Sequence, residues 1–247
     1  MKNILIGQPQ PSNEKSPYFE LIRKHKVNIT FQPFISIEEI STHDFLNQKI
    51  KIEKFKSIIF VNKNSINHFF RICKDLKITL PPTFLYFCSN ETTALYLKNF
   101  IDYKKRKVFF GTDSSYSNLF ESILKYKKET PLLYPCALNK DSELIEWLDK
   151  GKIAYTPAEM YKIVYENLKD IFVDTKYHII CFLTPASVES FCSNFPNFKQ
   201  NNTVFFAFGH KTAETLIKKS FKVTIKLPNE ITSSLSTSLD SFLSKQG

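Results

Sequence analysis

The sequence predicts an α/β protein of two similar lobes, each with a parallel sheet flanked by helices. Three observations carry that reading. Short, nearly unbroken apolar runs such as SIIFV (57–61), HIICFL (178–183) and TVFFAF (203–208) suit strands buried on both faces. They alternate with segments of helical periodicity, the rhythm of parallel sheets covered by helices. The same strand–turn–helix unit also returns later in the chain: SIIFVNKNSINHFF at Ser57 is answered by HIICFLTPASVESF at His178, 121 residues on. FLYFCSNETTALYL at Phe84 is answered by TVFFAFGHKTAETL at Thr203, 119 residues on, and KVFFGTDSSYSNLFESIL at Lys107 by KVTIKLPNEITSSLSTSLDSFL at Lys222, 115 residues on. Similar offsets in the same order imply a duplicated unit.

The elements follow in order. ILIGQP (4–9) reads as a strand, Ser16 to His25 as a helix and Val27 onward as a strand. LLYPC (from Leu132), a helix near Lys140 to Lys150 and a strand from Lys152 are their counterparts. Helix starts are marked by Ser, Thr, Asn or Asp before the periodic segments, as in NKNS, TPAS and GHKT. Two long extended stretches, VNITFQPFISIEEI (27–40) and KIAYTPAEMYKIVYENL (152–168), break the rhythm. Their prolines, Pro33 and Pro157, favour edge or crossing segments, and we read both stretches as connections between the lobes.

With 247 residues the chain can bury one large core or two modest ones. No apolar run approaches the roughly 18 residues of a membrane span, and the N-terminus lacks a signal-peptide core. A cytoplasmic monomer without membrane contact is the expectation. Five cysteines without a Cys-x-x-Cys pair, and five histidines without i, i+4 pairing, favour free, mostly buried thiols and no metal site. The net charge of +10 points to acidic ligands, but 31 of the 34 basic residues are lysine, so arginine-based reading of nucleic acid is not expected. Only five glycines occur, with neither G-x-G-x-x-G nor a P-loop, which argues against dinucleotide and nucleoside triphosphate cofactors. No nucleophile elbow or triad order is visible.

Ligands of open parallel sheets collect beyond the carboxyl ends of the strands, where loops enter helix N-termini. The repeats place Asn62, Lys63, Asn64 and Ser65, Thr184, Ala186 and Ser187, Ser89 and Asn90, and Gly209, His210, Lys211 and Thr212 at such points. Free amides and the positive helix ends attract carboxylates or phosphates there, and four such termini facing a shared cleft would suit a polyanion. The Ser, Thr and Asn residues among them also read as ordinary helix caps. Gly209 and Asn90 share a repeat position, which predicts a tight left-handed turn at both. Tyr161, in the second connection, is a phenol able to donate a proton.

The order NKNSINHFF, SNETTALYL, a tyrosine in MYKIV, TPASVESF and AFGHKTAETL resembles uroporphyrinogen-III synthase over nearly the whole chain, with FLTPASVESF and FGHKTAETL as the best anchors. The resemblance implies a two-stranded linker, one lobe of residues 1–35 and 166–247, another of 38–160, and linkers near 34–38 and 158–166. It implies a cofactor-independent lyase that closes the linear tetrapyrrole hydroxymethylbilane, inverts ring D and releases water, in transient contact with the preceding pathway enzyme. Tyr161 matches the family's linker tyrosine, Thr184 the hydroxyl of the Ser/Thr-Pro turn and Thr212 the threonine after the glycine turn. Gln8 stands where many relatives have arginine, Asn62 where they have a hydroxyl and Asn90 where they have glycine. A non-catalytic two-lobed α/β binding or sensor protein for a small polyanion, or an inactive synthase, remains open at this stage.

Overall fold

The structure is a computed structural model, and it describes residues 1–111, 117–126, 131–138, 142–228 and 234–245. Parts of the third repeat pair, at 112–116 and 229–233, and the start of the helix expected from Lys140, lie outside the described residues. The chain divides into two units, Met1–Ser36 with Val164–Gly247, and Ile37–Ile163.

From the N-terminus, β1 (Asn3–Ile6), α1 (Pro17–His25) and β2 (Asn28–Phe31) belong to the first unit. The chain leaves through β3 (Ile35–Glu39) and builds the second unit from α2 (Thr42–Asn47), β4 (Ser57–Phe60), α3 (Lys63–Asp75), β5 (Leu85–Cys88), α4 (Glu91–Tyr96), β6 (Val108–Phe110), α5 (Ser117–Tyr126), β7 (Leu132–Ala137) and α6 (Ser142–Lys150). It returns through β8 (Tyr155–Tyr165) and completes the first unit with β9 (Ile179–Phe182), α7 (Pro185–Asn194), β10 (Val204–Phe208), α8 (His210–Lys218), β11 (Ile225–Leu227) and α9 (Leu235–Ser244).

The strand orders display the duplication. The first sheet runs β11-β10-β9-β1-β2 and the second β3-β8-β7-β4-β5-β6. Matching β4 with β9, β5 with β10, β6 with β11, β7 with β1 and β8 with β2 by the sequence repeats gives one order in both sheets. β3 is the addition. The ladders that join these five equivalent strands are parallel throughout.

The central strands of each sheet are buried on both faces because they are apolar at nearly every position, and alternate residues supply opposite cores. In β4, Ile58 and Phe60 enter one cluster and Ile59 another. In β1, Leu5 enters one cluster while Ile4 and Ile6 enter the other, and β10 divides in the same way, with Phe205 and Ala207 against Phe206. Four of the five cysteines are buried and all are free thiols; in Cys181 burial pushes the thiol far above its ordinary range.

The stretches read as connections contain strands β2, β3 and β8, and β3 and β8 are neighbours in one sheet. Pro157 sits inside β8 opposite Tyr134. β7 carries its own proline, Pro135, just before a bulge: Cys136 pairs with Glu159, but Ala137 pairs with Tyr161. A bulge tolerates a proline because the regular ladder is interrupted there, and it re-aims the side chains that follow.

Candidate functional site

In both sheets the strand order reverses direction between equivalent strands, at β4 and β7 in one and at β9 and β1 in the other. Crevices beyond the carboxyl ends of such strands are where open α/β sheets hold ligands.

In unit 2 the residue after β4 and Val61 is Asn62, the N-cap of α3. Its Oδ1 accepts from Ser65 N at 2.9 Å, and Ser65 Oγ donates to Asn62 O at 2.6 Å. This reciprocal cap consumes both the amide and the hydroxyl of Ser65. The N–H groups of Lys63 and Asn64 belong to the first turn, which has no intrahelical acceptor for them. The bulge turns Tyr161 toward this cap: its hydroxyl lies 3.3 Å from Asn62 Nδ2 and 3.4 Å from Asn62 Oδ1. Asn62 is exposed, whereas Tyr161 is 2% exposed. The phenol ring stacks on His68 of α3, with centroids 5.1 Å apart and planes at 19°. Lys63 holds its ammonium 5.1 Å over the ring of Tyr96.

His68 is half-buried, and its Nδ1 is buried without a hydrogen-bond partner among the described residues. Its pKa lies below the ordinary histidine value because burial disfavours the cation and the Arg71 guanidinium repels it; Glu39 opposes both. The imidazole is therefore neutral at pH 7. Arg71 itself pairs with Glu39 at 3.1 Å and with Asp75 at 3.3 Å.

In unit 1, Thr184 repeats the cap of Asn62. Its Oγ1 accepts from Ser187 N at 3.1 Å, and Ser187 Oγ donates to Thr184 O at 2.5 Å. Pro185 at the first helical position has no N–H to satisfy, which leaves the amide of Ala186 at the start of α7. At the end of β1, Gly7 N donates to Cys181 O at 3.1 Å, and a Cβ on Gly7 would come within 3.2 Å of that oxygen. At the end of β10, Gly209 precedes α8 with φ 90° and ψ 143° and has no side chain to cap the helix. Thr212, on the first turn of α8, is 1% exposed.

The uroporphyrinogen-III synthase (HemD) family model matches residues 16–231. The chain belongs to the uroporphyrinogen-III synthase family. A mutant uroporphyrinogen III synthase from Thermus thermophilus shares its fold with a TM-score of 0.71, at 13% identity and with 100% of both chains covered. Uroporphyrinogen-III synthetase from Helicobacter pylori gives a TM-score of 0.61 at 17% identity over 99% of this chain and 100% of its own. A further Thermus thermophilus uroporphyrinogen III synthase structure gives 0.52 at 14% identity, with 100% of both chains covered. No curated protein matches the sequence.

Within this synthase-family fold the residues singled out from sequence fall into two groups. Asn62, Lys63, Asn64, Thr184, Ala186, Gly209, His210, Lys211 and Thr212 stand at the starts of the longer helices α3, α7 and α8. Ser65 and Ser187 are buried and bonded into caps, Ser89 Oγ donates to Val61 O at 2.7 Å, and His210 pairs with Glu214 at 3.0 Å on the helix surface. The shared left-handed turn fails at Asn90. Its φ is −157°, extended, and its side chain accepts from Thr93 N at 2.9 Å. Asparagine can cap the helix from an extended backbone; glycine cannot, and of the two only Gly209 takes positive φ.

His68 is the residue that sequence reasoning passed over. A signal existed: it lies three residues after Ser65 and four before Ile72, both buried, so helical spacing puts it on the inward face of α3. Among the described residues no group of three or more His, Cys, Asp or Glu side chains could hold a metal, and no helix is long and apolar enough to cross a membrane.

Proposed function

We propose that this member of the family cyclises hydroxymethylbilane to uroporphyrinogen III as a lyase, with Tyr161 as the proton donor. The observation that carries the reading is the meeting of Tyr161 and the Asn62 cap at the carboxyl edge of β4, within a chain of this family. The chemistry begins when the terminal hydroxyl of ring A leaves as water, giving an electron-poor azafulvene. The substituted carbon of ring D attacks it and forms a spirocyclic pyrrolenine. Cleavage and reclosure at the free α-carbon then invert ring D, and the proton that this carbon loses on rearomatising balances the one that the phenol gave up. Protonation of the departing hydroxyl by a placed acid is worth about 10²–10⁴-fold.

The phenol is shielded in this structure, and the exposed Asn62 amide beside it is the group a ligand displaces to reach it. Within its own unit each such helix start, α3 with the Lys63 ammonium in one and α7 or α8 in the other, offers first-turn amides suited to carboxylates like the acetates and propionates that every ring of the bilane carries. Because the bilane also closes without inversion, the protein's work is to hold it in one reactive geometry and stabilise the cationic intermediates.

The test is incubation with freshly prepared hydroxymethylbilane, followed by oxidation and separation of uroporphyrins I and III. The protein shifts the product to isomer III. Tyr161→Phe lowers turnover by about 10²-fold or more and leaves the fold intact, because the hydroxyl's contacts with Asn62 are long ones. Wild-type turnover in Tyr161→Phe would remove the phenol from the reaction.

A further inference from the structure

His68 of α3 is half-buried and stacks on the Tyr161 ring. Two buried side-chain polar atoms among the described residues lack a hydrogen bond, His68 Nδ1 and Arg71 Nε. Arg71 Nε lies 3.1 Å from Glu39 Oε2 and has its charge met there. His68 Nδ1 has no such compensation. A buried nitrogen left unpaired costs stability, whereas a phenylalanine ring in the same place would carry no such cost. What the histidine does have is a flat contact with Tyr161, 5.1 Å between centroids and 19° between planes, beside the Asn62 cap that meets the phenol oxygen.

We infer that His68 is a positioning residue for proton transfer at Tyr161: its neutral imidazole fixes the plane of the phenol, and an imidazolium, pushed by the Arg71 guanidinium, shifts that plane and switches the site off. The inference rests on the role given to Tyr161 above. The charged and titratable groups around the imidazole are Arg71 on its own helix, with Asp75 paired to it, Glu39 on β3 and Tyr161 on β8. Lys162 and Glu38, the neighbours of Tyr161 and Glu39 in sequence, pair with each other at 2.7 Å. An imidazolium formed here is crowded by Arg71, and Glu39 already serves that guanidinium. Burial and Arg71 together hold the ring neutral until the pH falls below the ordinary histidine value of 6.5. Activity limited by this group therefore declines on acidification, with the midpoint of its acid limb below the ordinary histidine value.

The experiment measures kcat and KM for formation of isomer III from hydroxymethylbilane across about pH 5 to 8, with a melting temperature for each variant. His68→Phe keeps an aromatic plane but cannot titrate. It should lose the acid limb of the kcat profile, lower neutral kcat by about threefold, and melt no lower than wild type. His68→Ala removes the plane and should lower kcat on the order of 10- to 100-fold at every pH, with KM little changed. An acid limb unchanged in His68→Phe, or wild-type kcat in His68→Ala, overturns the inference. Tyr161→Phe separates the two failures. If it is fully active, both the tyrosine's role and the His68 inference fall. If it is inactive while His68→Phe titrates as wild type, only the His68 inference does.

Discussion

Gly209→Ala tests the turn that opens α8, and the structure fixes what kind of cost it carries. A Cβ built on Gly209 meets only Thr212 Oγ1, at 3.7 Å, which is ordinary contact. Steric overlap is therefore not the penalty. The backbone is: φ 90° with ψ 143° is a conformation that residues with a side chain rarely adopt, and holding one there costs about 1–3 kcal/mol. For a unit of this size that corresponds to a fall of roughly 5–10 °C in Tm. The chain can escape the strain only by rotating the turn, which breaks the 2.5 Å bond from Gly209 N to Leu227 O and re-aims the first amides of α8. Scanning calorimetry of the full chain reads the first effect. Steady-state kinetics with hydroxymethylbilane read the second, as a KM raised by about tenfold with a smaller change in kcat, the signature of lost ground-state binding. An alanine variant that melts within a degree of wild type with unchanged KM would refute both the strain and the carboxylate role proposed for the turn.

Two further outcomes follow from the geometry. Asn62→Ala removes the α3 cap and should destabilise the protein by about 1 kcal/mol in urea denaturation, while kcat falls more than this loss explains because Tyr161 loses its neighbour at 3.3 Å. Asp240 of α9 accepts from Lys24 Nζ at 2.8 Å and lies 2.6 Å from His25 Nε2, and these contacts hold its carboxyl below the ordinary 3.8. The depressed value means that the tie between α1 and α9 is complete above pH 3.8 and is lost as pH falls through the folded value. Hydrogen-exchange protection in α9, taken relative to the intrinsic rate at each pH, should fall over that acid range in wild type and already be reduced at neutral pH in Asp240→Asn.

The fold was legible because each strand–turn–helix unit is written twice. Runs such as SIIF and IICF are apolar at nearly every position, which marks burial on both faces, and their common offsets carry over into one shared strand order. The family was legible for the same reason, from motifs strung along nearly the entire chain. The candidate site was legible only at its rims. Cap residues such as Asn62 and Thr184 announce themselves because helix starts have a local chemistry. Their bonding does not: Ser65 and Ser187 look like ligand contacts in sequence but engage their hydroxyls in the caps. Asn90 and Gly209 share a repeat position yet differ in backbone, since one has a capping side chain and the other has none. The pairing of His68 with Tyr161 depends on a bulge between β7 and β8, a long-range register shift that local pattern does not encode.

The account stands most directly on the isomer ratio formed from hydroxymethylbilane by the intact protein. Uroporphyrin III in large excess over the spontaneous type I product is the predicted result. A type I product identical to that of a protein-free control would contradict it.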